Sequence, residues 1–279
     1  MIIQENGILS RENNDKYSKD IEYLKKYYAE HNEFPLFNQV LIETKTDCNN
    51  HCIFCPQTHF QKPLGIMSID CFCEIINQLI KVQYAGRIAF LLSNEPLLDN
   101  RLIDMIKIAR SASPRFFLDL TTNGKLLTLA MLDKLFAYGL DNITINDYRA
   151  DRDSDMNIIS DNLLEIMDKY KNNPKVTYRP RRTDEILSNY AGIIHQIETN
   201  NKYGFCNYPF RKIAIAYNGE ILLCCNDFSY KTTMGNIFKD SIIDVWHSEV
   251  FNQHRVALLN NERIGLCTKC NEIQNYNIY

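Results

Sequence analysis

Apolar residues recur in two alternating patterns between about residue 38 and residue 180. Short runs rich in Val, Ile, Phe and Leu have the length of buried strands, and they alternate with longer runs of helical period. Strands are predicted at 38–44, 87–92, 116–121, 142–145 and 175–178, and helices from Ser68 and at about 100–112, 128–138 and 157–171. Repeated strand–helix units of this kind predict an α/β fold with a parallel sheet.

The two ends of the chain follow other patterns. Apolar side chains at helical spacing over 14–31 predict an N-terminal helix that packs on the main body. Near the other end, the runs 213–217 and 221–224 flank Asn218-Gly219, which predicts a hairpin with a tight two-residue turn. One helix is predicted over 241–260. These changes of pattern divide the chain into an N-terminal extension (1–36), a β/α body (37–200) and a C-terminal domain (201–279).

Composition and charge exclude several classes of function. The 279 residues carry a net charge of -3 without a long run of either sign, so nucleic-acid binding and a polybasic membrane anchor are not expected. No apolar stretch approaches the roughly 18 residues of a membrane span, and the first residues lack the charged-then-apolar order of a signal peptide. We therefore expect a cytoplasmic protein, in which cysteines serve as metal ligands or buried apolar residues more often than as disulfides.

The ten cysteines form two clusters, and the first occupies a single loop. Cys48, Cys52 and Cys55 have C-x3-C-x2-C spacing directly after the first predicted strand. Structural zinc is held by four closed ligands, and this loop offers three thiolates plus His51 or His59. A four-iron cluster normally takes four thiolates, so three in one loop leave one iron open to a substrate or cofactor. Zinc completed by histidine and three merely buried thiols remain the alternatives.

This loop resembles the cluster-binding motif of the radical S-adenosylmethionine (radical SAM) superfamily, with Phe54 in its aromatic position. The resemblance implies a partial (β/α) barrel in which the three thiolates hold a [4Fe-4S] cluster and the fourth iron chelates SAM. Reduction of the cluster would then cleave SAM to methionine and a 5'-deoxyadenosyl radical that abstracts hydrogen from the substrate.

Further motifs of that superfamily follow the next strands, where a parallel sheet places its ligands. Asn94-Glu95-Pro96 occupies the place of the Gly-Glu-Pro motif, in which the carboxylate meets the SAM ammonium; Asn94 departs from its glycine. Thr122-Asn123-Gly124 follows the third strand. The resemblance implies SAM contacts from this set, and Asn146 after the fourth strand is the candidate for the SAM ribose. Taken alone, each could equally be a turn or a helix cap.

The second cysteine cluster offers a complete set of four thiolates. Cys206 precedes the predicted hairpin, Cys224 ends it, and Cys267 and Cys270 form a C-x2-C pair. The segment resembles the auxiliary-cluster domain of the SPASM/twitch group in its one-cluster twitch form, which implies a second [4Fe-4S] cluster. The Gly-x4-Cys spacing selects Cys224 rather than its neighbour Cys225. Structural zinc remains the rival for this site.

Beyond residue 36 the chain resembles the small twitch-bearing dehydrogenases of the 2-deoxy-scyllo-inosamine dehydrogenase type, including the segment Leu187-Ser-Asn189. The resemblance implies that a secondary alcohol of a small polar metabolite, such as a cyclitol or sugar, is oxidised to a ketone, with one electron passed to the auxiliary cluster. Tyr190 stands where these enzymes have an arginine, so either the substrate differs or Arg179, Arg181 or Arg182 supplies the charge.

The predicted partners are a small-molecule substrate and an electron donor such as flavodoxin or ferredoxin. Two other functions remain open at this point. A peptide-modifying maturase is the enzymatic alternative, because SPASM proteins include many of them. A redox sensor that binds iron–sulfur or zinc without turnover is the alternative from another class, although a sensor has no need of a SAM-binding carboxylate such as Glu95.

Overall fold

The computed structural model describes residues 2–3, 13–147, 161–180, 187–195 and 205–272. Within these ranges the strands are β1 (Ile2–Ile3), β2 (Gln39–Ile42), β3 (Arg87–Phe90), β4 (Phe117–Thr122), β5 (Asn142–Asp147), β6 (Val176–Pro180), β7 (Lys212–Ile215), β8 (Glu220–Leu222) and β9 (Thr233–Asn236). The helices are α1 (Asn13–His31), α2 (Pro56–His59), α3 (Ile69–Lys81), α4 (Leu102–Ala112), α5 (Leu129–Ala137), α6 (Asp161–Lys169), α7 (Tyr208–Arg211), α8 (Ile242–Trp246) and α9 (Glu249–Leu259).

The described strands form one mixed sheet in the order β1-β6-β5-β4-β3-β2-β7-β8-β9. All neighbours from β1 to β7 pair in parallel, and the hairpin β7–β8 and strand β9 continue the sheet with antiparallel pairing. The predicted α/β fold with parallel strands is therefore confirmed. The C-terminal hairpin is built onto the same sheet as the body, because β7 lies directly beside β2.

The two faces of the sheet differ in the size of their side chains. Alternate residues such as Val40, Ile88 and Ile213 pack beneath the helices in the main core. Residues one position along face the other way, as successive side chains of a strand do. That second face carries three alanines and two leucines, which form a separate buried cluster; they are Ala89, Ala214, Ala216, Leu41 and Leu222.

The N-terminal helix packs on the C-terminal part of the chain. Leu24 of α1 shares a core with Phe34, Phe205, Cys206 and Leu258. The predicted N-terminal cover therefore contacts the segment that carries one of the auxiliary cysteines. None of the helices in the described ranges combines the length and apolar character that crossing a bilayer requires.

Two predicted elements are wrong in detail. The hairpin turn has three residues rather than two, because the amide of Gly219 donates to Ala216 O and the amide of Ala216 donates to Glu220 O, both at 2.9 Å. Gly219 alone in this turn has a positive φ, of 82°, which is the geometry of a type I turn followed by a left-handed glycine. The single helix predicted over 241–260 is two helices, because the Ser248 side chain caps a new helix by accepting from Phe251 N.

Arg255 of α9 is a fully buried guanidinium at the centre of the C-terminal part. It donates to Pro209 O at 2.7 Å, Trp246 O at 2.6 Å and Asn252 Oδ1 at 2.8 Å, and its Cζ lies 3.9 Å from the centre of the Trp246 ring. A planar group with several donors can satisfy three such acceptors at once. Arg255 therefore joins α8 and α9 to the short helix α7, which follows Cys206.

We expect Arg255→Met to destabilise the protein, since it leaves three buried acceptors without a donor, at a cost of about 3 kcal/mol in total. For a chain of this size that lowers the midpoint of thermal unfolding of the cluster-loaded protein by roughly 6 °C or more. Circular dichroism under anaerobic conditions measures this shift. Arg115→Met, on the exposed surface before β4, is the control and should leave the midpoint unchanged. Equal midpoints for both variants would show that Arg255 has no structural role.

Candidate active site

The predicted cluster loop follows β2 and is held by hydrogen bonds to its neighbours. The amide of Cys55 donates to Cys52 O at 2.9 Å, which forms a tight turn, and Cys55 directly precedes the short helix α2. Gln57 Nε2 donates to Thr46 O at 2.7 Å and to Ser93 O at 3.1 Å. The loop is therefore tied to the segment after β3, where the Asn94-Glu95-Pro96 motif begins.

Glu95 is the buried centre of the predicted SAM-binding motifs, with 2% of its surface exposed. One carboxylate oxygen accepts from Leu97 N at 3.0 Å and Thr122 Oγ1 at 2.7 Å, and the other accepts from Asn123 N at 2.8 Å. Burial raises the pKa of Glu95, and these three donors act against that shift. The carboxylate thus fixes the ends of β3 and β4 relative to each other, and about one of its roughly four acceptor positions is left for a ligand.

Asn123 connects this centre to the first cysteines. Its Nδ2 donates to Asn49 Oδ1 at 2.8 Å and lies 3.9 Å from Cys48 Sγ. Asn94, which replaces the glycine of the motif, has no positive φ, so the substitution does not strain the backbone. Pro96 is buried and starts a short 3-10 helix that Glu95 caps. The structure thus brings Cys48, Glu95, Thr122 and Asn123 together, as the sequence predicts.

The first site fits an iron–sulfur cluster and a polar cofactor in its donor chemistry. Burial, together with the charges of the neighbouring Glu95 and Cys55, raises the pKa of the Cys48 thiol to about 11. A cationic metal centre would supply the positive charge that such thiolates need. Both side-chain polar atoms of Asn50, and Nδ2 of Asn94, are buried without a hydrogen-bond partner. Buried amides without partners close to this loop suit a polar ligand, because leaving them unpaired costs free energy.

We expect Glu95→Gln to slow SAM cleavage by roughly 10–100-fold, the usual effect of changing a group that orients ligands. The amide oxygen of glutamine can replace one carboxylate oxygen, but its NH2 group would then face the amide of Asn123, donor against donor. The measurement is the rate of 5'-deoxyadenosine formation by the reduced protein. Glu30→Gln, on the exposed side of α1, is the control. An unchanged rate in Glu95→Gln would contradict the assigned role.

The four predicted auxiliary cysteines lie close together. Cys206, Cys267 and Cys270 each raise the pKa of the Cys224 thiol through their charges, although burial is the larger cause. Burial and the charge of Cys270 also raise the pKa of Cys267 to about 11. Cys225 is a fifth thiol near this group, and it packs against the alanine and leucine cluster on the second face of the sheet. Five buried or half-buried thiols in one place fit a positively charged metal centre, and four cysteines are the usual ligand set of a [4Fe-4S] cluster.

No set of three or more His, Cys, Asp or Glu side chains in the described parts of the chain is arranged to hold a single metal ion. The histidines considered for zinc at the first site are exposed. His59 Nε2 lies 2.6 Å from Ile53 O, so that ring nitrogen is engaged by the backbone.

Leu187-Ser-Asn189 lies against the end of the C-x2-C loop, at Lys269 and Asn271. Asn189 and Asn271 form a reciprocal pair, in which Asn189 N donates to Asn271 Oδ1 at 2.8 Å and Asn271 N donates to Asn189 Oδ1 at 3.1 Å. Asn189 Nδ2 also donates to Lys269 O at 2.9 Å. The resemblance to the dehydrogenases includes Leu187-Ser-Asn189, but no sequence pattern predicts that Asn189 pairs with Asn271. Its effect is to fix the C-x2-C loop on the body.

The candidate substrate residues fall in different places. Arg179 of β6 pairs in register with Asn146 of β5, so both lie at the carboxyl ends of their strands. The neighbouring Tyr178 packs into the main core, so Arg179 is directed to the second face of the sheet, opposite the main core. Tyr190 has a positive φ of 47°. It directly follows Asn189, which contacts the C-x2-C loop, so Tyr190 lies next to the auxiliary cysteines Cys267 and Cys270. Arg181 and Arg182 lie outside the described residues.

Comparison with protein families agrees with this geometry. The radical SAM superfamily profile matches residues 42–177, and the profile of the SPASM iron-sulfur cluster-binding domain matches residues 206–271. The chain therefore carries a radical SAM domain and a C-terminal SPASM-type domain. The first implies SAM and a [4Fe-4S] cluster, and the second implies auxiliary iron–sulfur.

Individual relatives narrow the resemblance. The S-adenosyl-L-methionine-dependent 2-deoxy-scyllo-inosamine dehydrogenase of Niallia circulans is 29% identical over 242 residues, which cover 85% of this chain and 94% of the relative. The crystal structure of BtrN in complex with AdoMet and 2-DOIA has a TM-score of 0.77 at 28% identity and covers 88% of this chain and 98% of that one. BtrN in an open conformation has a TM-score of 0.66 at 26% identity, over 85% and 94% of the two chains.

Proposed function

We propose that this protein is a radical SAM oxidoreductase that dehydrogenates a secondary alcohol of a small polar metabolite, such as a cyclitol or sugar alcohol, to a ketone. The observation that carries the proposal is the joint match of body and auxiliary segment to one dehydrogenase over 94% of its length. The two cysteine sites and the Glu95–Asn123 centre supply the parts that such a reaction needs.

The proposed ligands of the first cluster are Cys48, Cys52 and Cys55. Glu95, Asn94, Thr122 and Asn123 would line the SAM site, with Phe54 and Pro96 beside it and Asn146 at the ribose. When bound and reduced, the cofactors supply a radical that removes a hydrogen atom from a carbon. The residues of the chain would hold SAM in place and keep water out. Glu95 would help to hold SAM, because it fixes the ends of β3 and β4 relative to each other.

The proposed ligands of the auxiliary cluster are Cys206, Cys224, Cys267 and Cys270. Oxidation of an alcohol removes two electrons and two protons, and hydrogen abstraction accounts for one of each. The second electron would pass to the auxiliary cluster, and the hydroxyl proton must go to a base. Arginine donates and does not accept protons, so Arg179 or Arg181 would stabilise the alkoxide oxygen rather than act as that base.

Tyr190 stands where the dehydrogenases that this chain resembles have an arginine. An arginine replaced by tyrosine removes a charge from the substrate side, which indicates a substrate with a different charge or substituent pattern. Tyr190 itself would contact the substrate from the auxiliary side. An external one-electron donor, such as flavodoxin or ferredoxin, would reduce the first cluster. Because all ten cysteines are free, we place the protein in the reducing cytoplasm.

The test is an anaerobic incubation of the reconstituted protein with SAM, a strong reductant and a panel of cyclitols, aminocyclitols, sugar alcohols and short peptides. We expect one member of the polyol group to lose two hydrogen atoms, in an amount equal to the 5'-deoxyadenosine formed. Mass spectrometry measures both products. Conversion of a peptide alone would favour a peptide-modifying maturase, and intact SAM under strong reductant would contradict an enzymatic function.

A further inference from the structure

A buried charged cluster outside the family motifs joins the two halves of the candidate site. Lys62 Nζ lies 2.6 Å from Glu43 Oε1, and the side chains are 3% and 0% exposed. The Tyr230 hydroxyl donates to the other oxygen of Glu43. We call Glu43, Lys62 and Tyr230 the bridging triad. Its members come from three parts of the chain: the end of β2, the segment after Cys55, and the segment after Cys224.

Aromatic rings enclose the ammonium group of this triad. Lys62 Nζ lies 4.2 Å from the ring centre of Tyr230 and 4.6 Å from that of Phe228. The Phe228 ring packs edge-on against Phe60, with centres 6.0 Å apart. Phe60 and Lys62 lie after α2 in the first-cluster loop, which we take as residues 48–62, and Phe228 and Tyr230 lie in the auxiliary segment, residues 224–233. The contact between these segments therefore comprises one ring pair, Phe60–Phe228, and two contacts of the Lys62 ammonium with the Phe228 and Tyr230 rings.

The auxiliary segment is held in an unusual conformation to make this contact. Tyr230 has a φ of 55°, in the left-handed region that bulky residues rarely adopt. Asp227 fixes the turn around it by accepting from Lys231 N at 2.9 Å and Thr232 N at 2.6 Å. Such a conformation is strained and persists only where the surroundings require it. The turn thus directs the phenol towards Glu43.

A buried ion pair is a costly way to join two loops, because well-packed apolar residues often do so at lower cost. It does fix orientation, since Glu43 must accept from both partners at once. The same ammonium lies close enough to Cys55 and Asp227 to interact with their charges. Lys62 is therefore located between a predicted ligand of the first cluster and the segment that follows Cys224.

We propose that Glu43, Lys62 and Tyr230 are positioning residues that lock the auxiliary segment 224–233 onto the first-cluster loop. Through this lock they set the position of the substrate carbon relative to the auxiliary cluster. The consequence for turnover rests on the proposed function, whereas the lock itself is a property of the fold. Without this lock, SAM cleavage would continue, but a smaller share of the cleavage events would lead to hydrogen abstraction from the substrate and electron transfer to the auxiliary cluster.

The test compares Tyr230→Phe with Tyr170→Phe. Tyr170 also donates its hydroxyl to a carboxylate, Asp133 at 2.5 Å, but it lies on the helix side of the sheet next to Phe136. Each variant removes one oxygen atom and keeps the ring. In the cluster-loaded protein, we expect amide hydrogen exchange of 226–232 to be roughly tenfold faster or more in Tyr230→Phe, because a hydrogen bond to a charged group is lost. Tyr170→Phe should leave that segment unchanged.

The second readout is the amount of ketone formed per 5'-deoxyadenosine, together with KM and kcat. We expect Tyr230→Phe to lower this ratio and raise the substrate KM while SAM cleavage without substrate keeps its rate. Lys62→Arg should retain most of the protection that Lys62→Met loses, because only arginine keeps the charge beside Glu43. Unchanged exchange in Tyr230→Phe, or equal effects in both tyrosine variants, would overturn the lock. If wild-type protein makes no ketone, the proposed function fails, and the exchange comparison still decides the lock.

Discussion

Replacing Cys48, Cys52 and Cys55 together by Ala is expected to abolish SAM cleavage while leaving the auxiliary cluster in place. The three thiolates lie in one loop, and Cys48 of this loop lies 3.9 Å from Asn123 Nδ2 in the Glu95–Asn123 centre. Iron content should fall from about eight to about four per chain, since each cluster holds four irons. Iron and sulfide analysis after anaerobic reconstitution measures the first result, and the yield of 5'-deoxyadenosine measures the second.

Cys73→Ala is the control for this triple variant, because Cys73 is a half-buried cysteine of α3 outside both predicted clusters. It should keep the full iron content and full SAM cleavage. Survival of SAM cleavage in the triple variant would show that the first cluster is assigned to the wrong cysteines. Loss of all iron would show that the two sites are not independent.

The reciprocal change, Cys267→Ala with Cys270→Ala, should separate SAM cleavage from ketone formation. We expect about four irons to remain and SAM to be cleaved at the first site, because four thiolates are needed to close the second cluster. Ketone formation should fall to background, since the second electron of the oxidation then has no acceptor. The measurement is the ketone and 5'-deoxyadenosine formed in the same reaction.

Two results would contradict this second prediction. Ketone formation at the wild-type rate would remove the auxiliary cluster from the reaction. Wild-type protein that binds about four irons and one zinc would show that the second site is structural. Asn189→Ala provides a milder test of the same region, because it loosens the C-x2-C loop without removing a thiolate.

The order of strands and helices could be predicted because each buried face repeats with its own period. The errors occur where one side chain decides the local geometry. Ser248 can continue a helix or cap a new one, and the apolar pattern around it does not distinguish these. Similarly, Asn218-Gly219 suits several turns, and only the pairing of Ala216 with Glu220 selects the three-residue loop.

The predicted site depended on spacing within single loops, which is why its cysteines and the Glu95 motif come together in the structure. Contacts between segments that are far apart in the chain produce no recognisable spacing in the sequence. The Asn189–Asn271 pair spans 82 residues, and the Tyr230–Glu43 contact spans 187. Asparagine, lysine and glutamate in loops are ordinarily solvated, so nothing in the sequence distinguishes Lys62 or Asn271 from surface residues.

The transfer of deuterium tests the central claim most directly. The substrate identified in the polyol panel would be labelled with deuterium at the carbon that bears the reacting hydroxyl and incubated with SAM and reductant. Dehydrogenation by hydrogen abstraction predicts one deuterium in each 5'-deoxyadenosine and none at the carbonyl carbon of the product. Unlabelled 5'-deoxyadenosine formed together with the ketone would contradict the account, because the abstracted hydrogen would then come from elsewhere.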